Sequence, residues 1–254
     1  MTLIKSISGI RGTIGGSPGE GLTPIDIVKF VSAFTSFIGK TQKTDKLRFI
    51  VGRDARTSGD MVNKLVCGTL LGMGVDVIDL GLSTTPTVEM KVVFENADAG
   101  IILTASHNPG QWNALKLLNG QGEFISAEEG ARVLEIADKQ AFSYADVEVL
   151  GNYSMDEEAI RQHIDAILTL PAVDVELIRK RDFHVVLDSV NSTGGIALLP
   201  LFKALGVSKV TELYCEPTGI FPHNPEPLPE NLTEIAASVK EKGADMGFVV
   251  DPDV

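Results

Sequence analysis

The chain has 254 residues, 44% of them hydrophobic and 22% charged. At roughly 100–200 residues per domain it makes one large domain or two small ones, with enough apolar material for a packed core, which excludes wholesale disorder. Its 22 Lys and Arg against 34 Asp and Glu leave a net charge of −12, which argues against nucleic acid and anionic membrane as partners; an anionic substrate would need a local cluster of Arg, Lys or metal working against the global field.

Apolar runs alternate with helix-like patterns, the mark of an α/β protein. Leu3 to Ser8 reads as a first strand, followed by a Gly-rich turn, Gly9-Ile10-Arg11-Gly12. Thr23 caps a helix that Pro24 opens. Ile27, Phe30, Val31, Phe34 and Ile38 line one face of it, and Gly39 is its expected stop. This most apolar helix, Ile25 to Ile38, is too short to span a bilayer and carries Asp26 and Lys29. The opening residues contain no apolar stretch of signal-peptide length. Leu47 to Val51 is the next strand, running into Gly52-Arg53-Asp54. A helix over 59–72, a strand over 75–80 and a helix from Pro86 to about Phe94 follow. Ala99 to Leu103 is a short apolar strand ending in Thr104-Ala105-Ser106-His107-Asn108-Pro109. Ala114 to Leu118 runs back as a strand, and Ser126 to Lys139 is helical.

Between Gln140 and Asn152 the pattern loosens, which places a domain boundary there and divides the chain into units 1–145 and 153–254. A polar helix over 155–170 links or flanks the second unit. The alternation then repeats as strand 183–187, helix 193–205, strand 207–214, helix 232–242 and strand 246–250. Five prolines between Cys215 and Pro229 require an extended loop. Cys67 and Cys215 are far apart and fit no zinc or redox spacing, so they read as reduced thiols of a cytoplasmic protein. The sequence shows no close repeat and no low-complexity tract. The last strand runs out into Asp251-Pro252-Asp253-Val254. Strand carboxyl ends are where open α/β sheets bind ligands, so the chain is expected to be the N-terminal part of a longer protein.

Ser106 is a hydroxyl on a turn at the carboxyl end of a buried strand, with Pro109 fixing the exit. Taken alone the segment is equally a solvated turn. It is no Ser–His dyad, because adjacent side chains point apart. Arg11 between two glycines suits a phosphate, and equally a surface turn. Asp251 and Asp253, one residue apart, suit Mg²⁺ or a solvated acidic loop. Lys116 either reaches back to Ser106 or is a solvated edge charge. The opposite charges of Gly52-Arg53-Asp54-Ala55-Arg56 read as a structural ion pair with helix capping, and His223 as a solvated loop histidine or, alternatively, a domain-interface residue.

Together these motifs resemble the α-D-phosphohexomutase family. Thr104-Ala105-Ser106-His107-Asn108-Pro109 is similar to its phosphoserine loop, Gly9-Ile10-Arg11-Gly12 to its first loop, and Gly52-Arg53-Asp54-Ala55-Arg56 to its second-strand motif. Phe221-Pro222-His223-Asn224-Pro225-Glu226-Pro227 with Glu230-Asn231-Leu232 is similar to its second-domain loop, and Asp251-Pro252-Asp253 to the start of its metal loop. The resemblance implies four domains, the first three each a mixed sheet flanked by helices. The chain would then hold two successive α/β domains and stop inside the metal loop, before the family's third aspartate. The sugar-selecting and phosphate-binding loops of domains III and IV are missing, so the chain is expected not to turn over substrate alone.

The implied reaction moves phosphate between C1 and C6 of a hexose. Phosphorylated Ser106 gives its phosphoryl group to a hexose phosphate, and the bisphosphate sugar turns around and returns its other phosphate. Mg²⁺ on Ser106, Asp251 and Asp253 would offset charge, as would Arg11 and Lys116, one of them acting as general base or acid. His107 and Asn108 would orient the loop or the leaving oxygen. Two departures stand out. Pro252 replaces the family's usual glycine, and Ala114 replaces the glycine of the Asn-Gly step before Lys116, so that turn cannot adopt positive φ as freely. The short loops favour a phosphoglucosamine mutase over a phosphomannomutase or phosphoglucomutase. A reading of another class is a non-catalytic phosphosugar-binding module, against which the retained Ser106 speaks. A serine hydrolase would need a G-x-S-x-G elbow, which is absent.

Overall fold

The computed structural model describes residues 2–6, 9–42 and 46–254. In chain order the first unit contains β1 (Ile4–Ser6), β2 (Gly9–Thr13), α1 (Pro24–Thr41), β3 (Arg48–Arg53), α2 (Gly59–Gly72), β4 (Asp76–Leu82), α3 (Thr85–Phe94), β5 (Ala99–Leu103), β6 (Trp112–Asn119), α4 (Ala127–Lys139) and β7 (Tyr153–Met155). Its strands form one mixed sheet in the order β1-β2-β6-β5-β3-β4-β7. β5, β3, β4 and β7 run parallel; β1, β2 and β6 are joined to the rest by antiparallel ladders.

Helices cover both faces, which is why the central strands read as continuous apolar runs and not as alternating ones. Along β3, Phe49 and Val51 face α1, α2 and α4, while Ile50 faces α3. Phe34 of α1 meets Phe49 edge-on, with ring centroids 5.6 Å apart. The capping box at the start of α1 is complete: the Asp26 backbone N–H donates to the Thr23 hydroxyl and the Thr23 N–H to the Asp26 carboxylate. α1 runs through Gly39 to Thr41, because Gly39 keeps helical geometry and the chain turns extended only at Gln42.

The second unit contains α5 (Ala159–Leu168), α6 (Val175–Arg181), β8 (His184–Asp188), α7 (Gly194–Ala204), β9 (Lys209–Leu213), α8 (Thr233–Lys242) and β10 (Met246–Val249). Its three strands are all parallel, in the order β10-β8-β9, around a core of Val185, Leu187 and Phe202. The α6 helix corresponds to no element expected from the sequence.

Two expectations need correction. Gly9 to Gly12 is not a turn but strand β2, paired with β1 on one side and β6 on the other. Glycine serves close approach here: a Cβ on Gly9, at φ +118°, would sit 2.1 Å from the Leu115 carbonyl oxygen. The first-strand residues Ile7 and Ser8 lie outside the described residues. Met155 does not open a helix. Residues 153–155 form β7 and close the first sheet against β4, so residues assigned from sequence to the second unit hydrogen-bond to the first. No helix among the described residues is long and apolar enough to cross a membrane.

Candidate active site

The parallel strands of both units end at one seam. β5 ends at Leu103 and hands the chain to Thr104-Ala105-Ser106; β10 ends at Val249 and hands it to Asp251-Pro252-Asp253. Ser106 adopts φ +54°, a left-handed conformation uncommon for a residue with a Cβ. Local bonds hold it there. The Ser106 N–H donates to Thr104 Oγ1 at 2.9 Å, and Asn108 Nδ2 donates to the Ala105 carbonyl at 2.7 Å. Asn108 therefore orients the loop from within.

The loop is also held from outside by Arg56, which is 1% exposed. Its Nη1 donates to the carbonyls of Pro109 (2.8 Å) and Trp112 (3.1 Å), and its Nη2 to those of Asn108 (2.7 Å) and Ser106. Its Nε donates to Asp54 Oδ2 at 2.8 Å, so the expected ion pair forms, fully buried. The capping half of that expectation is corrected. Asp54 Oδ1 accepts the Arg56 N–H at 2.9 Å, and Ser58 precedes α2 without a side-chain cap. Thr104 Oγ1 donates to Asp54 Oδ2 at 2.7 Å. Burial pushes the Asp54 carboxyl up to about 6, against the pull of the Arg56 charge.

Across the seam, Ser106 Oγ donates to Asp251 Oδ2 at 2.5 Å, and Lys116 Nζ donates to Asp253 Oδ2 at 2.8 Å. Lys116 thus reaches the site although Ala114 stands where glycine was expected. Ala114 is paired with Arg11 inside β6, where no positive φ is needed. Arg11 points to the same sheet face as Lys116, one strand over, and its Nε is buried without a hydrogen-bond partner. His107 is exposed, with Nδ1 3.5 Å from Ser106 Oγ, at the outer limit of a hydrogen bond.

The Asp251–Asp253 loop is tied to both units. Ser192 and Thr193 hydroxyls donate to the Pro252 carbonyl at 2.6 and 2.9 Å, and Ser192 Oγ accepts the Ala55 N–H at 3.2 Å. The missing N–H of Pro252 is not required by this arrangement. The Thr85 N–H donates to the Asp253 carbonyl at 2.9 Å, and the Thr85 hydroxyl donates to Asp253 Oδ2. Asp253 Oδ1 is left buried with no partner. Burial, reinforced by the Asp253 charge, raises the Asp251 pKa.

This donor set fits a hard divalent cation. It offers only oxygens, one of them an orphaned buried carboxylate oxygen, and two carboxylates share a single lysine. Among the described residues no three His, Cys, Asp or Glu side chains converge on one point, and Ser106 Oγ lies beside Asp251 as a further oxygen.

The loop of residues 215–229 docks on the same seam. Phe221 stacks on the Arg56 guanidinium at 5.1 Å. Gly219, at φ +72°, lies so close that a Cβ would sit 1.9 Å from the Ala55 carbonyl oxygen. His223 is half-buried and hydrogen-bonded, not the freely solvated histidine its place in a loop suggested. Its Nε2 is 3.0 Å from Asp188 Oδ2 and its Nδ1 2.9 Å from the Asn224 carbonyl, which pins the loop to the second unit. Sequence reasoning missed Thr85, Ser192, Thr193 and the docking of Phe221. Ser83-Thr84-Thr85-Pro86 and Ser192-Thr193 offered only the polar residues usual before helices.

Residues 3–144 match the family model described as phosphoglucomutase/phosphomannomutase, alpha/beta/alpha domain I, and residues 161–254 match domain II of the same family. A Thermococcus kodakarensis protein named phosphoglucomutase/phosphomannomutase is 38% identical over 245 residues, 95% of this chain and 53% of the relative. A Sulfurisphaera tokodaii protein named phosphoglucosamine/phosphogalactosamine mutase is 32% identical over 255 residues, 100% of this chain and 53% of the relative. The crystal structure of a phosphoglucomutase/phosphomannomutase family protein from Burkholderia thailandensis superposes with a TM-score of 0.81 at 27% identity, covering 100% of this chain and 54% of that one. The chain spans about half the length of the curated relatives it matches.

Proposed function

Because the chain belongs to the phosphoglucomutase/phosphomannomutase family, we propose that the whole protein is a phosphohexomutase that moves phosphate between C1 and C6 of a hexose through Ser106. The observation that carries this reading is the position of Ser106 Oγ, held on a strained turn and bonded across the seam to Asp251 at 2.5 Å. Phosphoryl transfer asks mainly for positioning and charge neutralisation. In the forward step the phosphoserine P–Oγ bond breaks as a P–O bond forms to the free hydroxyl of the hexose phosphate. The hydroxyl proton leaves to Ser106 Oγ or a nearby base, and the product is a hexose bisphosphate. After the sugar turns around, the same exchange in reverse restores phosphoserine.

Lys116 and Arg11 would place positive charge on the side of the sheet where the phosphate develops charge. Asn108 keeps the loop in register, and His107, exposed beside Ser106, is free to orient the incoming oxygen. Asp251 and Asp253 would hold Mg²⁺ together with an oxygen on Ser106. When bound, Mg²⁺ supplies the positive charge that two carboxylates and a phosphate otherwise lack. We propose a cytoplasmic setting, in keeping with two free cysteines.

Glucosamine phosphate is the proposed sugar, supported by the name of the Sulfurisphaera relative and by the short loops. The name of the Thermococcus relative supports mannose and glucose phosphates as the second reading. Parallel kcat/KM measurements of the whole protein on the three sugar phosphates, with Mg²⁺ and a bisphosphate primer, test both. Turnover on none of them would overturn the mutase reading in favour of a phosphosugar-binding module.

A further inference from the structure

We infer that Arg56 is the positioning residue that holds Ser106 in its left-handed conformation, and that Phe221 locks it in place from the second unit. The inference rests on the reading of Ser106 as the phosphoryl carrier. A guanidinium has five N–H donors. In Arg56 all five are engaged: one from Nε to Asp54, two from Nη1 to Pro109 and Trp112, and two from Nη2 to Ser106 and Asn108. Four of the five acceptors are backbone carbonyls of one seven-residue stretch, 106–112, which begins at the proposed nucleophile.

A counter-ion for Asp54 alone would not need this. The ion pair uses Nε only. The remaining four bonds form a fork that fixes where the carbonyls of the serine turn point, and the Ser106 carbonyl direction is what a φ of +54° changes relative to an ordinary backbone. A positive φ on a residue with a Cβ persists only where the surroundings over-determine it. Here that restraint comes from Arg56, together with Thr104 and Asn108. Lysine cannot substitute, since its three donors radiate from one point and cannot span carbonyls from residue 106 to residue 112.

Phe221 caps the guanidinium from the 215–229 loop, which Gly219 brings against Ala55 and His223 fastens to Asp188. Docking of the second unit is thereby coupled to the geometry of the serine turn. The coupling adds no catalytic group. It fixes the position of one that is already there.

The test compares wild type, R56K and F221A. Two quantities are read: the rate of phosphate transfer from glucose 1,6-bisphosphate to Ser106 by intact mass, and amide hydrogen exchange along the chain. For R56K the transfer rate is expected to fall about 100-fold, since small misplacements of a reacting group cost that much. The half-saturating bisphosphate concentration should change less than about threefold, a loss in rate and not in binding. Exchange should accelerate in residues 105–112 while β3, β5 and β6 keep their protection. F221A should move both readouts the same way by about fivefold, in line with loss of one stacked cation contact.

Wild-type rate and exchange in a folded R56K would overturn the inference. So would a rate loss accompanied by faster exchange across the whole sheet, which would mark Arg56 as a general structural residue. If R56K does not fold, F221A decides: an unchanged rate and unchanged exchange in 105–112 overturns the inference. If wild type takes up no phosphate on Ser106, the phosphoserine reading fails, while the exchange comparison still tests the hold of Arg56 on the turn.

Discussion

Ser106 Oγ and Asp251 Oδ2 lie 2.5 Å apart across the seam between the two units, although the residues are 145 positions apart in the sequence. The hydroxyl is the donor, so the contact exists only while Ser106 is unmodified. Phosphorylation removes that proton and sets a phosphate beside Asp251 and Asp253, with Lys116 as the only cation bonded to either carboxylate among the described residues. The phosphorylated protein is therefore expected to bind Mg²⁺ about tenfold more tightly than the phosphatase-treated protein. Titration calorimetry on the two forms checks this; equal affinities would contradict it.

The second prediction concerns pH. Burial raises the Asp54 carboxyl from 3.8 to about 6. Between those values the folded protein keeps the proton and the unfolded chain does not. Stability contributed by this group is therefore greatest below the unfolded pKa and falls as pH rises toward 6. Melting temperatures of wild type and D54N between pH 4 and 7 isolate it. The wild type should lose ground relative to D54N as pH rises from about 4 to about 6, whatever the offset between the two proteins; a constant difference would place the Asp54 pKa elsewhere.

Thr85 sets the third. Its hydroxyl and Lys116 both occupy Asp253 Oδ2, which leaves Oδ1 bare and available to a cation. T85V removes one hydroxyl at constant shape and should weaken Mg²⁺ binding about fivefold, the value of one hydrogen bond, while T85S stays near wild type. Calorimetric titration of the three proteins is the measurement. A T85V protein that binds as wild type would remove Thr85 from the account.

A buried lysine supports the fourth. Lys91 of α3 has a side chain only 3% exposed and joins Asp156 at 2.5 Å, Glu95 at 2.8 Å and Gln162 at 2.8 Å, clamping α3 to α5. Asp156 and Glu95 retain partial contact with water, so K91M should cost about 2 kcal/mol, less than the loss of one partner from a fully buried pair. Urea melts give the value, and exchange at residues 156–163 should rise first. Full stability in K91M would show the clamp to be energetically neutral.

Much of this site was legible in the sequence because its reactive groups advertise themselves. Ser106 sits in a run of small and polar residues at the end of an apolar strand, and Asp251 and Asp253 do the same at the end of another. The fork of Arg56 was not legible. Its acceptors are backbone carbonyls some 50 positions away, and a carbonyl leaves no trace in side-chain identity. Thr85 was hidden because a Thr before Pro86 already has a sufficient explanation as a helix start. β7 was missed because three residues, Tyr153-Ser154-Met155, carry no usable period, and their strand character comes from pairing with β4 far upstream. Gly9 and Gly12 were misread for a related reason: a glycine that admits a neighbouring backbone looks the same in sequence as one that makes a turn.

The most direct test of the central claim is peptide mass spectrometry of the protein after incubation with glucose 1,6-bisphosphate and Mg²⁺. The account predicts one added phosphate on the peptide containing Ser106, absent from S106A and passed to the sugar on chase with hexose phosphate. Phosphate on another residue, or equal uptake by S106A, would contradict it.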